Sequence, residues 1–295
     1  MDKKTKMPHG RYAQLTLDFS FKKVFASEDD KDLLIALLNA FLERKLAHPI
    51  MEVAIQNPYI QGQTKANRDA HLDIRCRDSA GNRFIVEMQT GRQRHFVKRA
   101  VYYSSVAISG SGKKGDDWDF NFPNVYSLNF LDYDLDFGEG NDNVVQYVSL
   151  SNEDFPHIRY GCENLVFVRL TEFRKGIEDC HSLQDKLIFS LRNAHNLRER
   201  PAQFSENLFD KLFNIAEISN FTVEEYSQYE ASLMTRWDYS ASMKFAKEEG
   251  EAIGEARGKE EGLLQTACKM KAKGFNTAVI AEITGLPERE IEGLD

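Results

Sequence analysis

The sequence predicts an α/β fold followed by a helical region. Strand and helix patterns alternate from residue 28 to about residue 175, whereas the patterns after residue 182 are helical. A length of 295 residues corresponds to about two domains of ordinary size. The composition, 42% hydrophobic and 28% charged, is that of a globular protein. We therefore place a boundary between the α/β part and the helical part at residues 175–182.

The α/β part contains two predicted helices among its strands. Leucine and phenylalanine recur at helical spacing from Leu33 to Leu42, behind an acidic start at residues 28–30, which predicts an amphipathic helix ending near Lys45. A second helix is predicted over residues 94–108. Short apolar or alternating runs bounded by turn-forming residues predict strands. These runs are residues 51–56, 72–77, 83–89, 125–131, 144–150 and 165–170.

The helical part divides by charge and glycine content. Helices are predicted over residues 183–196, 205–218 and 223–235, and a charged segment follows to about Gly274. We therefore expect three regions: an α/β domain at 1–178, a helical region at 179–247, and a glycine-periodic charged helix with a tail at 248–295.

Four glycines recur at intervals of four residues in the charged segment: Gly250, Gly254, Gly258 and Gly262. Each glycine inside a helix costs about 1 kcal/mol relative to alanine. One interpretation is a stripe of small residues that lets another helix approach closely, as in a homodimer through the C-terminal helical region. The other is a solvated helix or linker, which the lack of an apolar face beside the glycines favours.

The tail, residues 276–294, resembles a helix-turn-helix. Its second helix would present Glu288, Glu290 and Glu292 against only Arg289. Phosphate repels such a helix, so we expect a packing or oligomerisation element instead of one that reads DNA.

Charge is distributed unevenly along the chain. The net charge of −8 argues against a general nucleic-acid coat protein, which would be basic throughout. Residues 1–100, however, hold 18 basic and 12 acidic side chains, a balance of +6, and the rest of the chain has a balance of −14. The first third is thus a basic module on an acidic protein.

Several common classes of site are excluded by their missing motifs. The chain has no glycine-rich phosphate loop of the Walker or Rossmann type and no Gly-x-Ser-x-Gly sequence. Its four cysteines stand singly, without zinc-ligand spacing, and are expected to be reduced thiols. No apolar run is long enough to span a bilayer and no secretory signal is visible, so a cytoplasmic location is expected.

The most informative segment is a predicted hairpin. If Asp78 to Asn82 form its loop, the residue numbers of every directly opposed pair sum to 160, so that Asp73 faces Glu87 and His71 faces Gln89. Directly opposed Cβ atoms lie about 4.5–5.5 Å apart, and two carboxylates that close repel each other.

A divalent metal ion would stabilise this pair of carboxylates. Mg²⁺, Mn²⁺ and Ca²⁺ prefer oxygen ligands, and Mg²⁺ often binds one or two carboxylates together with substrate phosphate. The alternative is a surface pair neutralised by Arg75 or Arg77, or one carboxyl that stays protonated. Spacing alone leaves both interpretations open.

The same hairpin resembles a known family. Asp73, thirteen further residues and Glu87-Met88-Gln89 resemble the Asp...(Asp/Glu)-x-Lys core of the PD-(D/E)XK nuclease superfamily, and more closely its Rpn branch, the recombination-promoting nucleases or PD-(D/E)XK nuclease family transposases. The similarity covers roughly residues 15–175. It is carried, in order, by the stretches 18–25 (DFSFKKVF), 33–42 (LLIALLNAFL), 85–89 (IVEMQ), 99–103 (RAVYY) and 124–128 (NVYSL).

The resemblance implies a restriction-endonuclease-like core, a mixed central sheet flanked by helices, and metal-dependent cleavage of DNA. It assigns Asp73, Glu87 and the carbonyl of Met88 to the metal ion, which would polarise the phosphoryl oxygen and activate water. It also allows Asp18 as a further acidic residue, whose alternative role is the N-cap of a helix. Glu43 is a weaker candidate for the same role.

Gln89 departs from the pattern, since the superfamily often has lysine at this position. An amide can orient water but supplies no positive charge. Lys65, Lys98 or Arg99 could replace that charge, and His71 could act as a base or be a half-buried polar residue. The departure keeps an alternative open: a catalytically weakened nuclease fold that binds nucleic acid or a protein.

Four cations follow the predicted site strand: Arg92, Arg94, Lys98 and Arg99. In a nuclease they would contact the DNA backbone, and in another protein they would form a solvated helix face. Taken together, the sequence predicts a metal-dependent DNA endonuclease.

Overall fold

The computed structural model describes residues 10–60, 70–112, 119, 121–138 and 140–294. The chain forms two compact units, Met1–Arg236 and Trp237–Asp295. Within the described ranges, no helix is sufficiently long and apolar to cross a membrane. The three-region division expected from the sequence stays a prediction.

Eight α-helices occur in the described ranges. They are α1 (Asp18–Phe25), α2 (Lys31–Leu42), α3 (Phe96–Ser109), α4 (Leu183–Asn193), α5 (Asn207–Ala216), α6 (Val223–Ala272), α7 (Thr277–Thr284) and α8 (Glu288–Glu292). The two predicted segments at 223–235 and beyond form one continuous helix, α6, which includes the four periodic glycines.

Eight strands occur in the same ranges. They are β1 (Ala54–Gln56), β2 (Tyr59–Ile60), β3 (Ala70–His71), β4 (Ile74–Arg77), β5 (Arg83–Gln89), β6 (Val125–Leu131), β7 (Val145–Ser151) and β8 (Arg159–Arg169). The bounds of β5 and β6 agree with the sequence pattern, whereas β8 begins six residues before the predicted start at 165.

Six strands form one mixed sheet in the order β1-β4-β5-β6-β8-β7, and β2 pairs with β3 separately. The strands β5, β6 and β8 run parallel, and β1, β4 and β7 pair antiparallel with their neighbours. This confirms the predicted fold class: a mixed central sheet flanked by helices, with a helical C-terminal extension.

Helices cover both faces of the sheet. Apolar residues of α1, α2, α4 and α5 share one core with Ile74, Phe84, Val86 and Met88 of the central hairpin. On the other face, Ala107 of α3 packs with Ile85. Alternation along β5 therefore turns Glu87 and Gln89 towards the side of α3.

The hairpin register follows the prediction within the strands. Ile74 pairs with Val86 and Arg77 with Arg83, and the Asp78 carboxylate accepts a hydrogen bond from the Asn82 amide at 2.8 Å. Gly81 has φ of +87°, a conformation that glycine adopts without a Cβ clash.

Ahead of β4 the regular hairpin ends at a bend. Asp73 lies in this bend, and His71 pairs with Tyr59 instead of Gln89. Leu72 packs with Ile85 on the α3 side, whereas Ile74 and Cys76 lie in the core on the opposite face. The bend therefore interrupts the two-residue alternation of side chains along this strand.

The C-terminal unit contains the tail helices. Ile280 of α7 and Ile291 of α8 are buried against Ala267 of α6. The Lys271 ammonium donates to the carbonyl oxygens of Ile291 and Glu292 at 3.1 and 2.9 Å. The tail is therefore a packed helical element, as the sequence predicts.

Candidate functional site

The bend at Asp73 and strand β5 hold two carboxylates together. The Asp73 amide donates to Oε1 of Glu87 at 3.2 Å, and the Met88 amide donates to Oδ2 of Asp73 at 2.7 Å. Each carboxylate is thus tied to the backbone that carries the other. The structure brings Asp73 and Glu87 together as the sequence predicts, although Asp73 reaches Glu87 from a bend and not from a regular strand.

Burial makes the pair electrostatically costly. The Glu87 side chain is only 3% exposed, and burial and the charge of Asp73 raise its pKa to about 8. Burial also raises the pKa of Asp73, against the effects of the Met88 amide and Lys22. Glu87 is therefore harder to ionise than an ordinary glutamate, and a divalent cation bound beside it would favour its charged form.

Two basic side chains approach the pair from opposite sides of the sheet. Lys22 of α1 places Nζ 3.6 Å from Oδ1 of Asp73, and Arg99 of α3 places Nη2 3.4 Å from Oε2 of Glu87. Neutralisation by Arg75 or Arg77, considered above, is wrong: Arg75 donates to the carbonyl oxygen of Asn57 at 3.4 Å, and Arg77 is exposed.

Gln89 belongs to the same cluster. Its side-chain amide donates to Oε2 of Glu87 at 3.1 Å. Its main-chain carbonyl oxygen accepts from the main-chain amide of Asp132 at 2.8 Å. Gln89 is therefore held in the cluster by both its side chain and its backbone. The prediction that His71 lies opposite Gln89 is wrong, because His71 is exposed and pairs with Tyr59.

Asp18 lies at the edge of the cluster. It is the first residue of α1, whereas Leu17 occupies the N-cap position, so the alternative role of Asp18 as a cap is wrong. Its Oδ1 lies 2.6 Å from Nζ of Lys22. Glu43 lines a separate cavity with Arg44 and Tyr147, beside the edge strand β7.

The donor atoms of the cluster suit a hard divalent cation. Among the described residues, no group of three or more His, Cys, Asp and Glu side chains could hold a metal ion. Two carboxylates nevertheless fit the manner in which Mg²⁺ binds, with water and substrate phosphate completing its coordination. Met88 contributes only main-chain atoms at this place, since its side chain is buried in the core on the opposite face.

The predicted DNA-contacting cations lie between β5 and the first turns of α3. Arg92, Arg94 and Lys98 are exposed, and Arg99 is half-buried beside Glu87. Their contact with DNA stays a prediction. Lys65, a candidate for the missing positive charge, lies outside the described residues.

Sequence reasoning missed Lys22. The segment 18–25 indicated a helix, but nothing in the spacing related that helix to the hairpin some fifty residues later. The only available signal was the i,i+4 spacing of Asp18 and Lys22, which commonly forms an ordinary surface pair.

Comparison with known proteins gives one match. The family model described as PD-(D/E)XK nuclease family transposase matches residues 15–246. No curated protein and no solved structure matches this chain significantly.

Proposed function

Because the chain belongs to the PD-(D/E)XK nuclease family transposases, we propose that it is a metal-dependent DNA endonuclease. The observation that carries this proposal is the buried pair Asp73 and Glu87, tied together at 2.7 and 3.2 Å through backbone amides. A buried pair of carboxylates with a raised pKa is typical of a functional site.

The reaction would be hydrolysis of a phosphodiester bond in DNA. Water adds to phosphorus and one P–O ester bond breaks, leaving a phosphomonoester and a hydroxyl group. Asp73, Glu87 and the Met88 carbonyl would hold a divalent cation, with Mg²⁺ the first candidate and Mn²⁺ or Ca²⁺ alternatives. Bound there, such an ion supplies polarisation of the phosphoryl oxygen and a lowered pKa of the attacking water.

The protein's own groups would position the reactants. The Gln89 amide, already held by Glu87, would orient water or a phosphate oxygen, since an amide offers both donor and acceptor atoms. Arg92, Arg94, Lys98 and Arg99 would attract the DNA backbone without reading its sequence.

A second candidate function is a catalytically weakened nuclease fold that binds nucleic acid or a protein. The observation that favours it is Gln89, which leaves no positive charge at a position where the superfamily often has lysine. In this case the carboxylate pair would bind no metal ion.

We also propose that the C-terminal unit supports a homodimer. A Cβ placed on any of the four periodic glycines of α6 would meet nothing within 4 Å. A second copy of α6 could therefore approach this segment closely.

Cleavage of supercoiled plasmid DNA tests the nuclease proposal. We expect nicking that requires Mg²⁺ or Mn²⁺ and falls at least about 100-fold in Asp73→Asn and Glu87→Gln, because each change removes an anionic ligand. Glu43→Gln is the matched control, an exposed carboxylate away from the site, and should cleave as wild type does. Nicking by either site variant at the wild-type rate would contradict the proposal.

Calorimetric titration with Mn²⁺ separates the two candidate functions. A nuclease site should bind Mn²⁺ with release of a proton, and Glu87→Gln should bind it more weakly. A wild-type protein that neither binds Mn²⁺ nor nicks DNA would favour the binding module.

A further inference from the structure

We propose that Lys22 of helix α1 supplies the positive charge that contacts the reacting phosphate. The superfamily often has a lysine for this charge at the position of Gln89. This inference rests on the proposed nuclease function. It assigns to α1 a part in the site beyond packing, and it gives Asp18 a different role from that of a metal ligand.

The core fixes the position of α1. Phe21 and Phe25 are fully buried on its inner face, and the Phe21 ring lies 6.0 Å from that of Phe130 on β6. Lys22 follows Phe21 directly, so the sheet fixes the start of its side chain. The Lys22 side chain then extends to Asp73 at 3.6 Å and remains 38% exposed. It is therefore near the carboxylates and still accessible to a ligand.

Two acidic neighbours keep Lys22 charged. The Lys22 Nζ lies 2.6 Å from Oδ1 of Asp18 and 3.6 Å from Oδ1 of Asp73, so its ammonium form is paired with two carboxylates. An ammonium group has three donors. Lys22 can therefore keep its contact with Asp18 while it donates to a phosphate oxygen. Asp18 is then a positioning residue that acts through Lys22.

Arg99, the cation beside Glu87, is already engaged. The guanidinium of Arg99 contacts Glu87 and Gln93 and lies 4.8 and 5.5 Å from the ring centroids of Phe96 and Tyr103. These contacts hold the guanidinium in place beside the buried Glu87. Lys22 faces the more exposed carboxylate, Asp73, which is 17% exposed against 3% for Glu87.

The neighbouring Lys23 provides a matched control. It lies on the same helix, but its ammonium pairs with Glu225 of α6 and lies 5.0 Å from the ring centroid of Phe221. Lys22→Met and Lys23→Met thus remove the same charge and the same hydrogen-bond donors, one beside the carboxylate pair and one away from it.

The test compares single-turnover cleavage and DNA affinity. Lys22→Met should cut the rate constant for cleavage with Mg²⁺ by about 100-fold or more, the usual effect of losing one transition-state donor. DNA affinity in EDTA, from fluorescence anisotropy, should change by less than about threefold, because one phosphate contact contributes little to total binding. Lys23→Met should match wild type in both measurements.

A second readout does not depend on cleavage. Since Lys22 repels any cation that approaches Asp73, Lys22→Met should bind Mn²⁺ at least about threefold more tightly than wild type. Lys23→Met should bind Mn²⁺ as wild type does. Equal Mn²⁺ affinity in all three proteins would overturn the proposal that the charge of Lys22 acts at the carboxylate pair.

Chemical restoration removes the concern that a variant is merely misfolded. Lys22→Cys treated with 2-bromoethylamine carries an ammonium group of nearly the length of lysine, and it should regain most of the cleavage lost by the untreated variant. Treated Lys22→Met controls for alkylation of the other cysteines and should stay slow. Failure of treated Lys22→Cys to recover would overturn the proposal.

The outcomes separate the two proposals. If the wild-type protein cleaves no DNA with any divalent metal ion, both the proposed nuclease function and the proposed role of Lys22 are wrong. A wild-type protein that cleaves while Lys22→Met cleaves within about threefold of it overturns the inference alone, and leaves the carboxylate pair as the site.

Discussion

At the scale of single residues, Glu87 determines how the metal-free site responds to pH. Its ordinary pKa of 4.5 rises to about 8 in the folded protein, through burial and the charge of Asp73. A raised folded pKa means that stability is fully present below pH 4.5 and is lost as pH rises through 8. The folded protein therefore carries an electrostatic cost near neutral pH that a bound cation would offset.

Unfolding of Glu87→Gln in EDTA measures this cost. Because glutamine does not titrate, the free energy of unfolding of the variant should exceed that of wild type increasingly from pH 5 to pH 8, by roughly 3 kcal/mol at the upper end. Urea denaturation at each pH gives the values. Glu43→Gln, at an exposed carboxylate, should follow wild type. If Glu87→Gln also follows wild type across this range, the surroundings of Glu87 do not raise its pKa.

Some of these residues could be predicted and others could not. Asp73 and Glu87 were predictable because hairpin register relates residues that are close in sequence. Lys22 was not, because its contact with Asp73 depends on how α1 packs on the sheet. The role of Asn39 was also not predictable from the sequence. This residue interrupts an apolar helix, and its side chain forms two hydrogen bonds of 2.8 Å with the backbone of Ile50.

At the scale of elements, the predicted bounds agree with the structure where the sequence signal lies within the element itself. Strands β5 and β6 have the predicted bounds because they are buried apolar runs with clear ends. The short strands β2 and β3 were missed, since two residues give no periodicity. The bend at Asp73 breaks the alternation of the first hairpin strand, and only the packing of Leu72 beside α3 shows it.

Helix α6 leads to a prediction about assembly. It is continuous from Val223 to Ala272, although each of its four central glycines costs about 1 kcal/mol. Contact with a second copy would offset part of this cost. We expect sedimentation velocity to show a dimer, and Gly254→Glu to shift it to a monomer, because a long charged side chain would occupy the space through which the second helix approaches. Glu251→Gln, on the same helix, should stay dimeric. A wild-type protein that sediments as a monomer at all concentrations would contradict the dimer.

At the scale of the whole molecule, charge distribution distinguishes the two ends of the chain. Residues 1–100 have a balance of +6, and the rest of the chain has a balance of −14. The basic third includes the four charged residues of the cluster: Lys22, Asp73, Glu87 and Arg99. The acidic remainder should be repelled by DNA, so that binding is confined to the surface around the carboxylate pair.

The salt dependence of DNA binding tests this arrangement. The logarithm of the affinity should fall linearly with the logarithm of the salt concentration, with a slope of about −0.9 for each phosphate contacted. Arg94→Ala and Lys98→Ala should each make that slope shallower by about one, whatever the DNA sequence, since both cations are exposed near the site. Lys244→Ala removes a cation of α6 that lies 3.8 Å from Glu248 and should leave the slope unchanged. Fluorescence anisotropy in EDTA gives the affinities without cleavage. If Lys244→Ala changes the slope as much as Lys98→Ala does, DNA also contacts the acidic part of the chain, and the basic third does not bind it alone.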